Sequence, residues 1–178
     1  MPRYPVFATR DLDQNAPTPF SLHAEAEEMQ ALAEELGLLG LRTLSFSGEI
    51  APTGRRDFML TGVLGATVVQ PCVVTLEPVT TRLDVPVLRT YVAGFAEPEG
   101  DEVEMAEDDS VEPLPAVIDP AAVMAEALAL ALPLYPRKAG AELGEAVYAA
   151  PGVVPMTDEA ARPFAGLAAL KKGPESEE

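Results

Sequence analysis

The stretch from Asp57 to Leu76, DFMLTGVLGATVVQPCVVTL, alternates apolar or small residues with more polar ones. A period of two predicts a β-strand with one face on a hydrophobic core. At roughly 3.3 Å per residue, the part before Pro71 would be about 46 Å long if it were straight. A compact domain of this length is only about 40 Å across. We therefore expect the strand to bend at Gly62 and Gly65, within a curled sheet or partial barrel.

The neighbouring segments predict the partners of this strand. Leu44 to Ile50 also alternates, and the Pro52-Thr53-Gly54 turn after it predicts an antiparallel hairpin. A further strand is expected from Leu83 to Phe95, and because Pro86 cannot donate to a ladder, this strand should lie at an edge or be bulged. The expected fold class is α+β: a curved antiparallel sheet (partial barrel) packed by one buried helix, with an N-terminal and a short C-terminal helix.

The sequence signals for these helices differ in strength. Ser21 is a suitable cap for a helix that runs to about Leu36, with several Glu residues near its positive end. Asp119-Pro120 is a typical helix start, and the apolar run to Leu132 predicts the most buried helix, lying on the sheet. Pro163 opens a last short amphipathic segment, FAGLAALKK.

Domain boundaries follow from composition and from these elements. Residues 1–18 contain several prolines and predict an extended N-terminal arm, residues 19–172 a single α+β domain, and residues 173–178 a disordered tail. Within the domain, residues 96–117 are acidic and contain proline, so we interpret them as a loop. The chain of 178 residues is long enough for one sizeable core.

Charge limits the classes of partner. The formal net charge is −17, and a chain this acidic is repelled by nucleic acid at long range, so RNA contact requires a local basic patch. The candidate patch combines a predicted hairpin tip, the next connection and strand, and the end of the buried helix: Arg55, Arg56, Arg82, Arg89, Arg137 and Lys138. The alternative is that these are ordinary surface residues with carboxylate partners nearby.

The interval between Arg89 and Arg137 contains no Lys or Arg and is a second candidate surface. The candidate contact residues are nine of its eleven carboxylates: Glu97, Glu99, Asp101, Glu102, Glu104, Glu107, Asp108, Asp109 and Glu112. They form either a solvated spacer or a docking surface for a basic protein. The run lacks the D-x-D-x-D-G spacing of a calcium loop, so we do not expect it to bind calcium.

No combination of residues predicts an active site. His23 is the only histidine and has no titratable partner nearby in sequence, so we expect a surface residue at a helix start. No phosphate loop, G-x-S-x-G or H-E-x-x-H motif is present, so we expect a non-enzymatic protein without cofactor, metal or small-molecule substrate. The single Cys72, the lack of a signal peptide and the lack of an apolar run of ~20 residues predict a cytoplasmic protein without a membrane partner.

Three separated motifs resemble those of one family. A strand ending in QPCVVTLEPV, an Asp-led helix running into ALALPLYPRK and a terminal RPFAGLAALKK occur in this order, with an acidic linker between the first two. Over roughly Pro19 to Lys172, the chain is similar to the YceD family, the bacterial large ribosomal RNA subunit accumulation proteins, in the form found in alphaproteobacteria. The resemblance implies a role in the synthesis, processing or stability of 23S ribosomal RNA, without a known catalytic activity.

The chain departs from the cysteine pattern of this family. Many members carry C-x-x-C where this chain has Cys72 to Thr75, and a His with a further Cys after the L-P-x-x-P segment. If relatives hold zinc there, this chain lacks the ligands, because one thiolate does not make a zinc site. Cys72 lies on the core-facing register of its strand and is expected to be a packing residue.

Two hypotheses about function follow. The first is a non-enzymatic ribosome-biogenesis factor that acts on large-subunit ribosomal RNA, directly or through a protein. The second is an acidic adaptor or holdase for a basic ribosomal protein. The net charge of −17 favours the indirect route, because it opposes contact with a phosphate backbone.

Overall fold

The computed structural model describes residues 4–54, 56–95, 111–142 and 152. The chain has two compact units, Met1–Ala139 and Gly140–Glu178. All described helices and strands belong to the first unit. The predicted C-terminal helix, the predicted tail, Arg55 and residues 96–110 lie outside the described residues.

The strands are β1 (Phe7–Ala8), β2 (Thr18–His23), β3 (Gly40–Pro52), β4 (Phe58–Pro71), β5 (Pro78–Val92), β6 (Val111–Pro113) and β7 (Val117–Ile118). The helices are α1 (Ala26–Glu35) and α2 (Pro120–Ala131), together with a 3-10 turn at Thr9–Asp11.

Five strands form one open sheet in the order β2-β3-β4-β5-β6, and β1 pairs separately with β7. The α+β class is therefore confirmed. The pairs β3–β4 and β4–β5 are antiparallel, as predicted, and β2, which was not predicted as a strand, also pairs antiparallel to β3. β6 pairs parallel to β5, so an all-antiparallel sheet was wrong. A parallel return needs a connection of a dozen or more residues, and residues 93–110 provide that length. The curvature of the sheet stays a prediction.

The β3–β4 hairpin is confirmed, with Pro52 opposite Phe58 and the Thr53 amide donating to the Asp57 carbonyl at 3.0 Å. β4 ends at Pro71 rather than at Leu76, because the chain turns back there and Pro71 lies opposite Pro78 at the start of β5. β5 consequently begins earlier than Leu83, where the sequence suggested its start.

Pro86 lies at the edge of the sheet, as expected from its missing N–H. β5 pairs with β4 along its length, whereas its other side meets β6 only from Thr90 to Val92. Pro86 sits opposite Val63 without a change of register, so no bulge is needed there. The irregularity of the sheet occurs instead in β3, between Leu41 and Thr43.

The core lies on one face of the sheet. The even-numbered side chains of β4 are buried almost without exception, from Phe58 to Val68, and they belong to the same hydrophobic cluster as Val123, Met124 and Leu128 of α2. A helix is present where the Asp119-Pro120 start predicted one. The Asp119 carboxylate caps it by accepting the Ala121 amide at 2.9 Å, which satisfies one of the free N–H groups of the first turn.

The segment around Ser21 was predicted as a helix and is a strand. Phe20 and Leu22 are buried and alternate with exposed residues, so period two overrides the capping signal of Ser21. α1 begins only at Ala26, after a capping box made by Glu25 and Glu28. His23 is exposed, as expected, but it ends β2 rather than starting a helix.

Two segments that were predicted to lack regular secondary structure contain short strands. Within the predicted arm, β1 pairs with β7, Phe7 lying opposite Ile118. The last part of the predicted acidic loop holds β6 and the first residue of β7, so residues 111–113 are sheet rather than loop.

Gly62 makes space for an aromatic ring. A Cβ added to Gly62 would lie 2.7 Å from a ring carbon of Phe46, which is fully buried. Gly62 lies opposite Gly48, where an added Cβ would approach the Thr61 carbonyl oxygen to 2.0 Å. Glycine is therefore needed at this point of β4 because the close contacts leave no room for a side chain. The sequence had suggested a different reason, a bend of the strand.

Gly62→Ala is expected to lower the free energy of unfolding by about 1–3 kcal/mol, because the methyl group displaces the buried Phe46 ring. Urea denaturation measures the change. Gly40→Ala is the matched control, since Gly40 lies in the same sheet with no heavy atom within 4 Å of its added Cβ. Equal destabilisation by the two substitutions would contradict this account.

Candidate functional site

The turn between β4 and β5, residues 72–77, is called here the Cys72 loop. The Cys72 amide donates to the Glu77 carbonyl at 2.8 Å, and the Leu76 amide donates to the Cys72 carbonyl at 2.9 Å. Leu76 has φ of 60°, in the left-handed region, and its side chain is 76% exposed. A bulky residue is an outlier there, so the tight turn is closed at the cost of backbone strain.

The segment that follows α2 is bonded to this loop. The Val73 amide donates to the Pro136 carbonyl at 3.0 Å, and the Lys138 ammonium lies 2.9 Å from both carboxylate oxygens of Glu77. This ion pair lowers the pKa of Glu77. Two sequence motifs that lie more than 60 residues apart, around Cys72 and around Pro136, are therefore adjacent in the fold.

The Cys72 sulfur is fully buried and accepts backbone amides. The donors are Lys138 at 3.4 Å and Val74 and Thr75 at 3.5 Å each. These bonds, that of Lys138 above all and the Thr75 hydroxyl next, lower the pKa of the thiol from 9.0 to about 6, although burial opposes the shift.

Cys72 also lies outside the hydrophobic core cluster. Its expected role as a packing residue was therefore incomplete, because it also joins two segments of backbone. Sequence alone gave no signal for this role, since the Lys138 donor is 66 residues away.

The residues around Cys72 do not fit a zinc ion. Cys72 is a single thiol, Thr75 supplies no second one, and three N–H donors, which cannot bind a cation, point at the sulfur. Within residues 4–54, 56–95, 111–142 and 152, no group of three or more His, Cys, Asp or Glu side chains is placed to hold a metal ion.

Two further large side chains near this junction are exposed. Leu134 is 85% and Tyr135 78% exposed, in the short segment between Pro133 and Pro136 that follows α2. Gln70 holds the start of this segment, donating from Nε2 to the Pro133 carbonyl at 3.2 Å. The flanking prolines indicated that the helix ends here, but no sequence signal predicted that these side chains would face solvent.

Three of the predicted RNA-contact residues are bonded to carboxylates. Arg89 is only 15% exposed and lies 3.2 Å from Glu112 and 2.7 Å from Glu126. Arg82 donates to Asp84 at 2.9 Å, which lowers the pKa of that carboxyl, and Lys138 pairs with Glu77 as described above. Arg56 and Arg137 are exposed, and Arg55 lies outside the described residues.

These basic residues occupy different parts of the sheet. Arg82 and Arg89 are separated by seven residues of β5, which is about 23 Å and places their side chains on opposite faces. Arg56 lies beside the β3–β4 turn, whereas Arg137 follows the segment bonded to the Cys72 loop, at the other end of β4. The structure therefore does not bring the five described residues into one patch.

Only one member of the predicted acidic surface is described. Glu112 lies in β6, where its carboxylate binds Arg89 of the adjacent strand. The other eight, Glu97, Glu99, Asp101, Glu102, Glu104, Glu107, Asp108 and Asp109, lie outside the described residues, and their role stays a prediction. Among the helices of the described chain, none is long and apolar enough to span a bilayer.

Fold and site together define an acidic α+β protein in which a buried thiol joins two distant segments. The family model of the large ribosomal RNA subunit accumulation protein YceD matches residues 60–171. The match covers more than half of the chain, including β4, the Cys72 loop and α2, and the chain therefore belongs to the YceD family. The resemblance inferred from the three motifs is confirmed. Searches of curated proteins and of solved structures gave no match.

The stability of the protein should rise with pH between about 6 and about 9 because of Cys72. The folded state favours the thiolate, so this contribution is fully present above the unfolded pKa and is lost as the pH falls through the folded pKa. Urea denaturation at several pH values measures it as the difference between wild type and Cys72→Ala. A difference that is constant across this window would contradict a bonded thiolate.

Leu76→Gly is expected to raise the free energy of unfolding by roughly 0.5–1 kcal/mol, because glycine adopts positive φ without strain. Leu76→Ala is the matched control, since alanine keeps the strain and loses the same exposed side chain. Thermal melting compares the two, and a gain of equal size in both variants would show that φ is not the cause.

Proposed function

We propose that this protein supports the synthesis, processing or stability of 23S ribosomal RNA without catalysing a reaction, and that it acts by contacting a basic protein. Membership of the YceD family supports the link to the large ribosomal RNA. The compartment that this role implies is the cytoplasm. The route through a protein is supported by the charges of the chain, as follows.

The pairing of the basic side chains is the observation that carries this route. Arg82, Arg89 and Lys138 each lie at ion-pair distance from a carboxylate of the same chain. A phosphate group of RNA would have to compete with these carboxylates, which belong to the same chain and already lie beside the basic side chains. Arg56 and Arg137, the remaining described members of the predicted patch, lie near opposite ends of β4.

The net charge supports the same route. At −17, the chain repels nucleic acid and attracts cationic proteins over distances up to about 8–10 Å at physiological salt. Many ribosomal proteins are basic because they bind RNA, so they are the class of partner that this charge fits. The acidic residues from 97 to 109 are a candidate part of the contact surface.

A strain without this gene should have a lower ratio of large-subunit to small-subunit ribosomal RNA than wild type. The triple variant Arg56→Ala/Arg82→Ala/Arg137→Ala should restore the ratio fully, because the proposed contact does not use these cations. Quantification of the two RNAs by electrophoresis is the measurement. The purified triple variant should also bind fragments of 23S RNA no more weakly than wild type does.

The comparison variant replaces the eight acidic residues from Glu97 to Asp109 with Gln and Asn. This variant should fail to restore the ratio of the two ribosomal RNAs. A folded triple variant that fails while the neutralised variant succeeds would contradict the protein route and indicate direct RNA contact. An unchanged ratio in the deletion strain would contradict the role in ribosomal RNA itself.

A further inference from the structure

An apolar groove of about 290 Å³ runs between α1 and α2. α1 lines it with Ala31 and Leu32, and α2 lines it with Ala121, Met124 and Ala125. Alanine dominates the walls, so the two helix backbones are accessible to a third element of structure. Side chains this small let a helix approach closely and pack between two others.

The stripe of α1 that lines the groove overlaps its core-packing side, because Leu32 lines the groove and also packs against the hydrophobic cluster. Glu28, Ala31, Leu32 and Glu35 follow the spacing i, i+3, i+4, i+7, which makes one stripe along the helix. The residues that pack most directly on the core, Ala33 among them, lie on an adjacent side of the helix. Core packing accounts for Leu32, whereas Ala31 and Glu35 in the same stripe are exposed.

Two carboxylates lie in the lining of the groove. Glu28 and Glu35 contribute to its lining and stand two turns apart, about 10.5 Å along the helix. Neither α1 nor α2 contains a Lys or Arg. The Glu28 carboxylate is held in position because it accepts the Glu25 amide at 3.2 Å and the Tyr4 hydroxyl.

We propose that this groove binds a basic amphipathic helix of a partner protein. The apolar stripe of that helix would pack on Ala31, Leu32 and Ala125, and Lys or Arg side chains two turns apart would lie beside Glu28 and Glu35. The inference rests on the proposed function in that the partner is a basic protein, and it names a docking surface other than residues 97–112. A second copy of this chain is disfavoured as the occupant, because two chains of charge −17 repel each other.

The first test uses the full-length protein and two synthetic helical peptides. Both carry the same stripe of Leu and Ala, and one has Lys and the other Glu at the flanking positions spaced by seven residues. Fluorescence anisotropy should show saturable binding of the Lys peptide that weakens with added salt, and no binding of the Glu peptide. Equal affinity for both peptides would overturn the proposal.

Charge reversal on α1 locates the site. Glu35→Lys should weaken binding of the Lys peptide at least ~10-fold and should create binding of the Glu peptide. Glu34→Lys is the matched control, because it makes the same change one residue away, on a side of α1 that does not line this groove, and it should change affinity less than ~3-fold. Equal effects of the two substitutions would indicate attraction to the whole protein and overturn the groove as the site.

A photo-crosslinking amino acid at position 31, which is exposed, identifies the occupant in cells. A crosslink to a Lys- or Arg-rich helical segment of another protein, identified by mass spectrometry, supports the proposal. A crosslink to residues 143–178 of the same chain or to a second copy overturns it.

The deletion strain separates this inference from the proposed function. One outcome is that the Glu35→Lys variant no longer binds the Lys peptide and still restores the ratio of large- to small-subunit ribosomal RNA in the deletion strain. In that case the groove is not the partner site, while the role in ribosomal RNA stands. If the deletion leaves the ratio unchanged, the role falls, and the peptide measurements still decide whether the groove binds a basic helix.

Discussion

The even-numbered side chains of β4, from Phe58 to Val68, are buried against the same cluster that contains the inward side of α2. β4 is also hydrogen-bonded to a neighbour on both sides over nearly its whole length. The other elements are arranged around this requirement. β3 and β5 satisfy the backbone of β4, α2 covers its apolar side chains, and Gly62 leaves the room that the Phe46 ring needs. Burial on one face fixes the register, because a slip of one residue would turn this set of side chains to solvent.

Charge is distributed in a way that bears on function. Two basic residues bind other segments of the chain: Arg89 holds β6 and α2 to the end of β5, and Lys138 holds the segment after α2 to the Cys72 loop. The carboxylates of α1 have no such internal cations on their own helix. The charged side chains of α1 are therefore all acidic, and the apolar groove lies beside this helix. A partner that is both basic and amphipathic satisfies the two properties at once.

The sequence predicted those parts of the fold that depend on local signals. The first hairpin was predicted by the alternation in Leu44–Ile50 and in β4, with a turn containing Pro and Gly between them. Asp119-Pro120 predicted the start of α2, and Pro86 predicted that its strand lies at an edge. Local signals also misled where two of them competed. Ser21 has the chemistry of a helix cap, but the burial of Phe20 and Leu22 beside β3 decided the structure.

The missed features depend on residues far apart in the chain. The parallel pairing of β6 with β5, the Lys138 amide on the Cys72 sulfur and the two carboxylates on Arg89 join segments that no local pattern connects. The candidate RNA patch shows the same limit. Arg82 and Arg89 are close in sequence, yet the geometry of a strand separates them and directs them to opposite faces.

The bonds between the Cys72 loop and the segment after α2 also set an order of events during translation. β2 to β5 are complete once residue 92 has left the ribosome. The end of α2 and the bonds to Pro136 and Lys138 need a further 40 to 46 residues. At about 5–20 residues per second, a nascent sheet would wait several seconds with its apolar face uncovered. The apolar side chains of β4 would thus be most exposed to unwanted association while the chain is still attached to the ribosome that makes it.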